Sequence, residues 1–380
     1  KMKVSIIGCG AMGSGIAQIA ATAGAEVTLF DNRIESLERS QRQLKKRLGK
    51  LQEKGRLSSE DGQGIVSRMG YTTNLNDIAG SNLVIESIDE DRGAKQAVFA
   101  QLESIVDKDC ILATNTSSLS VTAIAAACRL HPERVIGIHF FIPAQQIKLV
   151  EIIPGLQTNP RVVTRANKTI KQWGKTTVLV ADTPGFLVNR IARPYFLESI
   201  RMMDQGVANI ATIDWAMTSL GGFRMGPFAL MDYIGNDINY TFTKSLFEAT
   251  YYDDRYRPSG TQLRYVQAGY LGRKTGRGFY NYFDHSTNPA PNKDEELGRS
   301  ILLRVLVLLI NEAADALFWK RATKEDIDLA MTTGIRFPNG LLAWADDLGI
   351  SFCVKKLDEL YNQFREERYK CSPLLRKMQK

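Results

Sequence analysis

Histidine is scarce in this 380-residue chain: His131, His139 and His285 are the only three. A multi-histidine metal site is therefore not expected. Cysteine is sparse as well, at Cys9, Cys110, Cys128, Cys353 and Cys371, with no pair at C-x-x-C spacing. That excludes the usual zinc and redox motifs and leaves reduced, structural thiols. Long apolar runs are missing too. The longest, residues 301–310, is interrupted by Arg304 and is too short to span a bilayer. The stretch after Met2, read as the natural start, has no charged n-region, apolar h-region or cleavage site. The chain is accordingly expected in the cytoplasm, with no membrane contact. What remains is ordinary for a soluble protein, 44% hydrophobic and 24% charged, with a formal charge of +8. The excess of cations favours an anionic partner. Nucleic acid and a phosphate-rich coenzyme both satisfy it, and charge alone does not choose.

The length suits two or three domains rather than one core. Residues 3–7 read as a short buried strand, followed by Gly8-Cys9-Gly10-Ala11-Met12-Gly13 and a helical stretch to Ala23, stopped by Gly24. Residues 26–30 read as a second strand ending at Asp31. This βαβ opening implies a parallel, doubly wound sheet. Further strands are expected at 83–88, 110–114, 134–141 and 148–153. A basic helical insertion occupies about 34–68. The breaker cluster Asp182-Thr183-Pro184-Gly185-Phe186 marks the main boundary, after which apolar residues recur at helical spacing. A second boundary falls in the Ser/Thr/Asn/Pro-rich stretch 285–292.

The helical part repeats itself. A shift of 114 aligns Glu198 with Glu312, Ile213 with Ile327, Asp214 with Asp328 and Met217 with Met331. Phe223 with Phe337, Gly226 with Gly340, Asp232 with Asp346 and Gly235 with Gly349 continue the series. Arg255-Tyr256 matches Arg368-Tyr369 after a one-residue slip. An ordered series of this kind indicates two copies of one helical unit. The expected domains are therefore 1–182, 183–284 and a second, degenerate copy at 293–380.

A lone G-x-G-x-x-G is weak evidence. Here it follows a strand, opens a helix and is followed by an acid at the end of the next strand, which is the full Rossmann dinucleotide-binding context. Gly8 permits the tight turn, Gly10 the approach of a pyrophosphate, and Gly13 close packing of helix on strand. With Ala11 and Met12 they form the expected cofactor turn. The helix N-terminus supplies N–H groups and partial positive charge. Asp31 can accept hydrogen bonds from ribose hydroxyls and would repel a 2′-phosphate, so NAD is expected over NADP. Arg33 argues slightly the other way.

Oxidising an alcohol by hydride transfer needs a base for the hydroxyl proton, a group that orients the base, and donors that fix the oxygen. His139 sits on an apolar strand, and Glu151 lies twelve residues on. A turn at 142–146 would set the two side by side. By itself an apolar-strand histidine is more often a satisfied core residue.

The surrounding motifs reverse that preference. They are Asn115-Thr116-Ser117-Ser118-Leu119, His139-Phe140-Phe141, Lys148-Leu149-Val150-Glu151, Asp182-Thr183-Pro184-Gly185-Phe186, Val188-Asn189-Arg190, Met225-Gly226-Pro227 and the run from Gly272 to Tyr280. In this order, over residues 3–282, the sequence resembles the L-3-hydroxyacyl-CoA dehydrogenases, the bacterial 3-hydroxybutyryl-CoA enzymes above all. The appended copy resembles the second C-terminal unit of longer bacterial members. The resemblance implies His139 as general base, Glu151 as its orienting partner, and Ser117 and Asn189 on the substrate oxygens. It implies Glu90 and Lys95 on the cofactor side, Lys274 approaching the cofactor from the helical domain, and Lys54, with Ser117, on the coenzyme A of an acyl-CoA substrate. The other cations near Lys54 (Lys45, Lys46, Arg47, Lys50 and Arg56) are read as a solvated face.

One departure stands out. The family reads His-Phe-Phe-Asn-Pro where this chain has Ile142 before Pro143, and that asparagine normally lies near the nicotinamide. The expected reaction is interconversion of short-chain (S)-3-hydroxyacyl-CoA and 3-oxoacyl-CoA. Competing readings are a hydroxyisobutyrate- or carnitine-type dehydrogenase, or a non-catalytic NAD- or CoA-binding protein. A nucleic-acid partner is not expected. A homodimer is possible, with the second helical copy standing in for a dimer partner.

Overall fold

Strands β1 (Lys3–Ile7), β2 (Glu26–Phe30), β3 (Met69–Thr72), β4 (Leu83–Glu86), β5 (Ile111–Thr114), β6 (Val135–Phe140), β7 (Leu149–Pro154) and β8 (Thr176–Leu179) form one sheet in the computed structural model, which describes residues 1–379. Their order is β3-β2-β1-β4-β5-β6-β7-β8. The run 3-2-1-4-5-6 is that of a Rossmann fold. β4, β5 and β6 are buried along their whole length, as expected of parallel strands covered on both faces. The Rossmann expectation holds, with one correction: the sheet is not wholly parallel. β7 runs antiparallel to β6, because the connection of residues 141–148 is too short for a crossover.

Two strands escaped the sequence reading. β3 contains Gly70 and is only partly buried, and β8 is the short edge at the other end. Edge strands bury less and so carry a weaker apolar signature. The insertion at about 34–68 is helical, as expected. It is a pair, α2 (Ile34–Glu53) and α3 (Ser59–Ser67), broken at Gly55, whose φ is +65°. Leu37, Leu44 and Leu48 of α2 are buried, while Lys45, Lys46 and Lys50 are exposed. Arg47 is not merely solvated: its Nε donates to Gln18 Oε1 at 2.9 Å, tying α2 to α1 (Ala11–Thr22). The remaining helices of this unit are α4 (Arg92–Ile105), α5 (Val121–Ala125) and α6 (Pro160–Gln172).

The chain divides into two units, Lys1–Thr183 and Pro184–Lys380. The second is helical among its described residues. It comprises α7 (Val188–Ile191), α8 (Arg193–Asp204), α9 (Ile210–Trp215), α10 (Pro227–Ile234), α11 (Asn236–Ala249), α12 (Gly260–Gln267), α13 (Glu295–Phe318), α14 (Lys324–Thr333), α15 (Leu341–Leu348), α16 (Ile350–Phe364) and α17 (Pro373–Met378). The residues that matched at a shift of 114 do matching work. α10 begins after Gly226 and α15 after Gly340, neither with a capping side chain of its own. Asp214 accepts from the amides of Phe228 and Ala229, and Asp328 from those of Leu342 and Ala343, at 2.8–3.0 Å. A Cβ on Gly226 or Gly340 would stand 2.3 and 2.4 Å from the respective aspartate. Glycine is needed there so that the borrowed cap fits.

Other matched residues meet each other. Phe223 packs on Phe337 with ring centroids 5.0 Å apart. Tyr256 Oη donates to Glu312 at 2.7 Å, and Tyr369 Oη donates to Glu198 at 2.7 Å.

Asp328→Ala and Gly340→Ala should each lower stability by about 1–2 kcal/mol, the scale of a lost helix cap. The double variant should cost no more than the worse single one, since both remove the same cap. Chemical denaturation of the three variants measures this, and additive costs would separate the two residues.

Candidate active site

The carboxyl ends of parallel strands are where open α/β sheets bind ligands, and the expected cofactor residues collect there. Gly8 follows β1 with φ +100°, and a Cβ on it would meet Ser87 O at 2.5 Å. A Cβ on Gly13 would meet Gly8 O at 1.9 Å, so α1 packs hard against the turn. At Gly10, by contrast, a Cβ would meet nothing within 4 Å. Gly10 is also the N-cap of α1 and supplies no side-chain cap, and Ala11 and Met12 open the helix. The turn thus presents open space in front of a helix N-terminus, which fits a pyrophosphate.

Asp31 ends β2 and is almost buried. Cys9 N–H (3.2 Å) and Cys9 Sγ (3.1 Å) both donate to its Oδ2, and Arg33 N–H donates to Oδ1 at 3.0 Å. Burial alone would raise its pKa. The Cys9 thiol, the two amides and the Arg33 charge outweigh burial and hold the carboxyl below its usual range. Burial, reinforced by Asp31, pushes the Cys9 thiol up to about 12, so it stays a donor. An ionised, already oriented carboxylate suits the ribose hydroxyls of NAD.

Next along the edge lies a charge cluster. Lys95, 1% exposed, donates from Nζ to Glu86 Oε1 at 2.6 Å and to Ile88 O at 3.3 Å, and it approaches Glu90 Oε2 at 3.3 Å. Glu86, the last residue of β4, is wholly buried and also accepts from Thr114 Oγ1 and Ile88 N–H, both at 2.8 Å. Glu90 Oε1 gathers Thr116 Oγ1, the amides of Ser117 and Ser118, and Ser118 Oγ, at 2.5–3.0 Å. Burial opposes ionisation of Glu90, but Lys95 and these hydrogen bonds outweigh it and lower its pKa. Glu90, backed by Lys95, therefore holds the Ser117 loop, and Lys95 itself has almost no exposed surface.

At the end of β6, His139 lies directly opposite Glu151 in the register with β7. The two side chains share a face, and Nδ1 of His139 is 3.1 Å from Glu151 Oε2. Both are buried, at 6% and 1% side-chain exposure. Asn115 Oδ1 accepts from Phe140 N–H at 2.8 Å and Asn115 Nδ2 reaches Ser87 Oγ at 3.3 Å, so one amide ties the Ser117 loop to the His139 strand. Ile142, 72% exposed, lies just past this strand.

Three further residues complete the set expected from sequence. Lys54 caps the end of α2 and is exposed. Asn189 on α7 is half-buried, and Lys274 pairs with Asp237 at 2.7 Å; both belong to the second unit. A cavity of about 480 Å³, lined by Lys3, Thr28, Arg68 and Ser81 among others, opens at the amino ends of β1 and β2. It lies at the wrong edge of the sheet for this chemistry. Sequence reading overlooked Glu86 and the tie made by Asn115. An acid closing the apolar run Leu83-Val84-Ile85 was the available signal for Glu86.

The family model of the 3-hydroxyacyl-CoA dehydrogenase NAD-binding domain matches residues 3–183, and that of its C-terminal domain matches residues 185–282 and 301–380. The chain belongs to the 3-hydroxyacyl-CoA dehydrogenase family. It is an NAD-dependent dehydrogenase acting between 3-hydroxyacyl-CoA and 3-oxoacyl-CoA. It is 33% identical to the 3-hydroxyadipyl-CoA dehydrogenase of Escherichia coli, across 98% of this chain and 96% of that protein. It is 39% identical to the 3-hydroxybutyryl-CoA dehydrogenase of Clostridioides difficile, across 74% of this chain and 99% of that one. The crystal structure of an Escherichia coli 3-hydroxybutyryl-CoA dehydrogenase superposes with a TM-score of 0.95 at 32% identity, covering 100% of this chain and 98% of that one. The Ralstonia eutropha (S)-3-hydroxybutyryl-CoA dehydrogenase PaaH1 gives 0.71 at 36%, covering 74% and 98%. Among the described residues of this dehydrogenase no helix is long and apolar enough to cross a membrane.

In this dehydrogenase Lys95→Met should strand Glu86 as a buried, uncompensated carboxylate and cost about 3–5 kcal/mol. Adding Glu86→Gln should recover at least half of that. Denaturant midpoints of the single and double variants decide it, and a single variant within about 1 kcal/mol of the parent would contradict the account.

Proposed function

We propose that the chain interconverts short-chain (S)-3-hydroxyacyl-CoA and 3-oxoacyl-CoA, with His139 as the proton acceptor and Glu151 as its orienting partner. The observation that carries this is the buried His139–Glu151 pair at 3.1 Å, on the ligand-binding edge of the sheet and beside the Ser117 loop. With Nδ1 committed to Glu151, proton exchange falls to Nε2. In oxidation the C3 hydroxyl proton passes to Nε2 as the C3–O double bond forms. Glu151 stabilises the resulting imidazolium. Ser117 and Asn189 donate to the substrate oxygens, and Lys54 attracts the phosphates of coenzyme A. The hydride acceptor for C3 would be supplied by NAD. Gly8, Gly10, Ala11, Met12 and Gly13 would hold its pyrophosphate and Asp31 its ribose. Glu90 and Lys95 would support the cofactor side of the loop, and Lys274 would approach the cofactor from the second unit. The short-chain assignment rests on relatives named for 3-hydroxybutyryl-CoA.

The helical unit is best read as two copies of one domain, residues 183–284 and 293–380, meeting as the halves of a two-fold dimer do. The reciprocal Tyr256–Glu312 and Tyr369–Glu198 bonds and the self-facing pair Phe223–Phe337 support this reading. At the shift of 114, Asn189 corresponds to Leu303, so the second copy would be structural. A cytoplasmic location suits such an enzyme.

Turnover is tested by following NADH absorbance with a series of acyl-CoA chain lengths. His139→Gln should lower kcat at least a hundredfold, within the range of general acid–base catalysis, and leave NADH binding intact. A neutral imidazole accepts a proton and an imidazolium gives one. Oxidation should therefore be favoured at higher pH and reduction at lower pH. Near-normal turnover in the glutamine variant would end the mechanism.

Ile142→Asn restores the hydrogen-bonding group found elsewhere in the family. One net hydrogen bond is worth about 0.5–1.5 kcal/mol. NADH affinity or turnover of acetoacetyl-CoA should therefore improve about two- to twelvefold. No change in either quantity would mean that Ile142 is silent.

A further inference from the structure

The strands bearing His139 and Glu151 are joined by residues 141–148, and this connection is held from two sides. On one side Ala144 is 2% exposed in the core, and Gln145 lies against α1. A Cβ on Gly15 would stand 2.9 Å from the Gln145 side-chain nitrogen, so the loop and the cofactor-binding helix are in contact. On the other side is Lys175, the residue before β8. Its Nζ donates to Ala144 O at 2.5 Å and to Ile147 O at 2.8 Å. Thr176 N–H, next in sequence, donates to Lys148 O at 2.9 Å. One ammonium thus gathers two carbonyls of the loop that joins the strands bearing the His139–Glu151 pair.

We infer that Lys175 is a positioning residue for the dehydrogenase reaction: its cationic ammonium clamps the 141–148 loop and so sets the His139–Glu151 geometry and the placement of residue 142. The inference rests on the proposed roles of His139 and Glu151. Hydrogen bonds from a charged donor are the strong ones. A half-buried lysine spent on main-chain carbonyls, with no acidic partner, is a costly arrangement unless the loop needs holding. The ionisable residues on the neighbouring elements are Lys148 just before β7, Glu151 on β7, and Arg161, Arg165, Lys168 and Lys171 on α6. Among the described residues none forms an ion pair with Lys175, and Glu151 is engaged with His139. Burial alone lowers the Lys175 pKa to about 8. The clamp is therefore mostly charged at neutral pH and weakens as pH rises through 8, when a neutral amine with two N–H groups remains.

The test measures kcat for oxidation of 3-hydroxybutyryl-CoA from pH 6 to 10 in the parent, Lys175→Arg, Lys175→Met and His139→Gln. The parent should decline above pH 8 as Lys175 loses its charge. Lys175→Met should lower kcat about ten- to a hundredfold, the worth of charge-assisted hydrogen bonds, and lose the alkaline decline. Lys175→Arg should restore most of that turnover and move the decline to higher pH. Turnover in Lys175→Met within twofold of the parent overturns the inference. So does an alkaline decline unchanged in Lys175→Arg. If His139→Gln keeps its activity, the proton-transfer reading fails whatever Lys175 does. If His139→Gln is inactive and both Lys175 variants match the parent, only the clamp is wrong.

Discussion

Everything at the ligand-binding edge depends on one antiparallel pairing. β6 and β7 are matched so that His139 faces Glu151, and the side-chain period of a strand is two. A slip of a single residue would turn Glu151 to the opposite face and bring Val150 or Ile152 against the imidazole. The pairing is hard to slip because both strands are buried along nearly all of their length, with Ile138, Phe140, Val150 and Ile152 in the core. A buried polar pair is thus aligned by apolar packing.

A second constraint runs through buried charge. Glu86 carries no exposed surface and Lys95 almost none, which in isolation would be costly. Each finds more than one partner, and the chain of contacts runs from Glu86 through Lys95 and Glu90 to the amides of Ser117 and Ser118. Asn115 then joins this loop to the His139 strand. The polar groups that would meet a ligand are therefore the last members of a network anchored in the interior. Such anchoring keeps donors oriented without loss of entropy when a ligand arrives.

Much of this was legible in the sequence, and the reasons for the rest are physical. The turn from Gly8 to Gly13 and Asp31 carried its meaning because a tight turn, a close approach and an acid each demand particular residues at particular distances. The His139–Glu151 pair was legible because two apolar strands separated by a short turn fold back on each other. β3 and β8 were not, since an edge strand buries too little to enforce a pattern. Lys175 left no trace either. A lysine that bonds to carbonyls looks like any surface lysine, because main-chain acceptors are present everywhere and have no signature. Glu86 lay in plain view as an acid ending a buried strand, but its partner Lys95 sits on the helix that follows the intervening loop. Only the fold brings the two together.

The exchanged tyrosine–glutamate bonds of the helical unit have a consequence for how this chain can change. In a symmetric dimer of identical subunits any substitution strikes the interface twice, and both halves must tolerate it. Here Tyr256–Glu312 and Tyr369–Glu198 lie on one polypeptide, so each contact is encoded separately. Arg255 is held by Asp253 and Asp315 while Arg368 is held by Glu366, so the two contacts differ in their surroundings. With both faces on one polypeptide, the contact also forms at an effective concentration set by the chain rather than by the solution, and dilution cannot dissolve it. Each side is free to accumulate its own substitutions, one at a time, without the other having to follow.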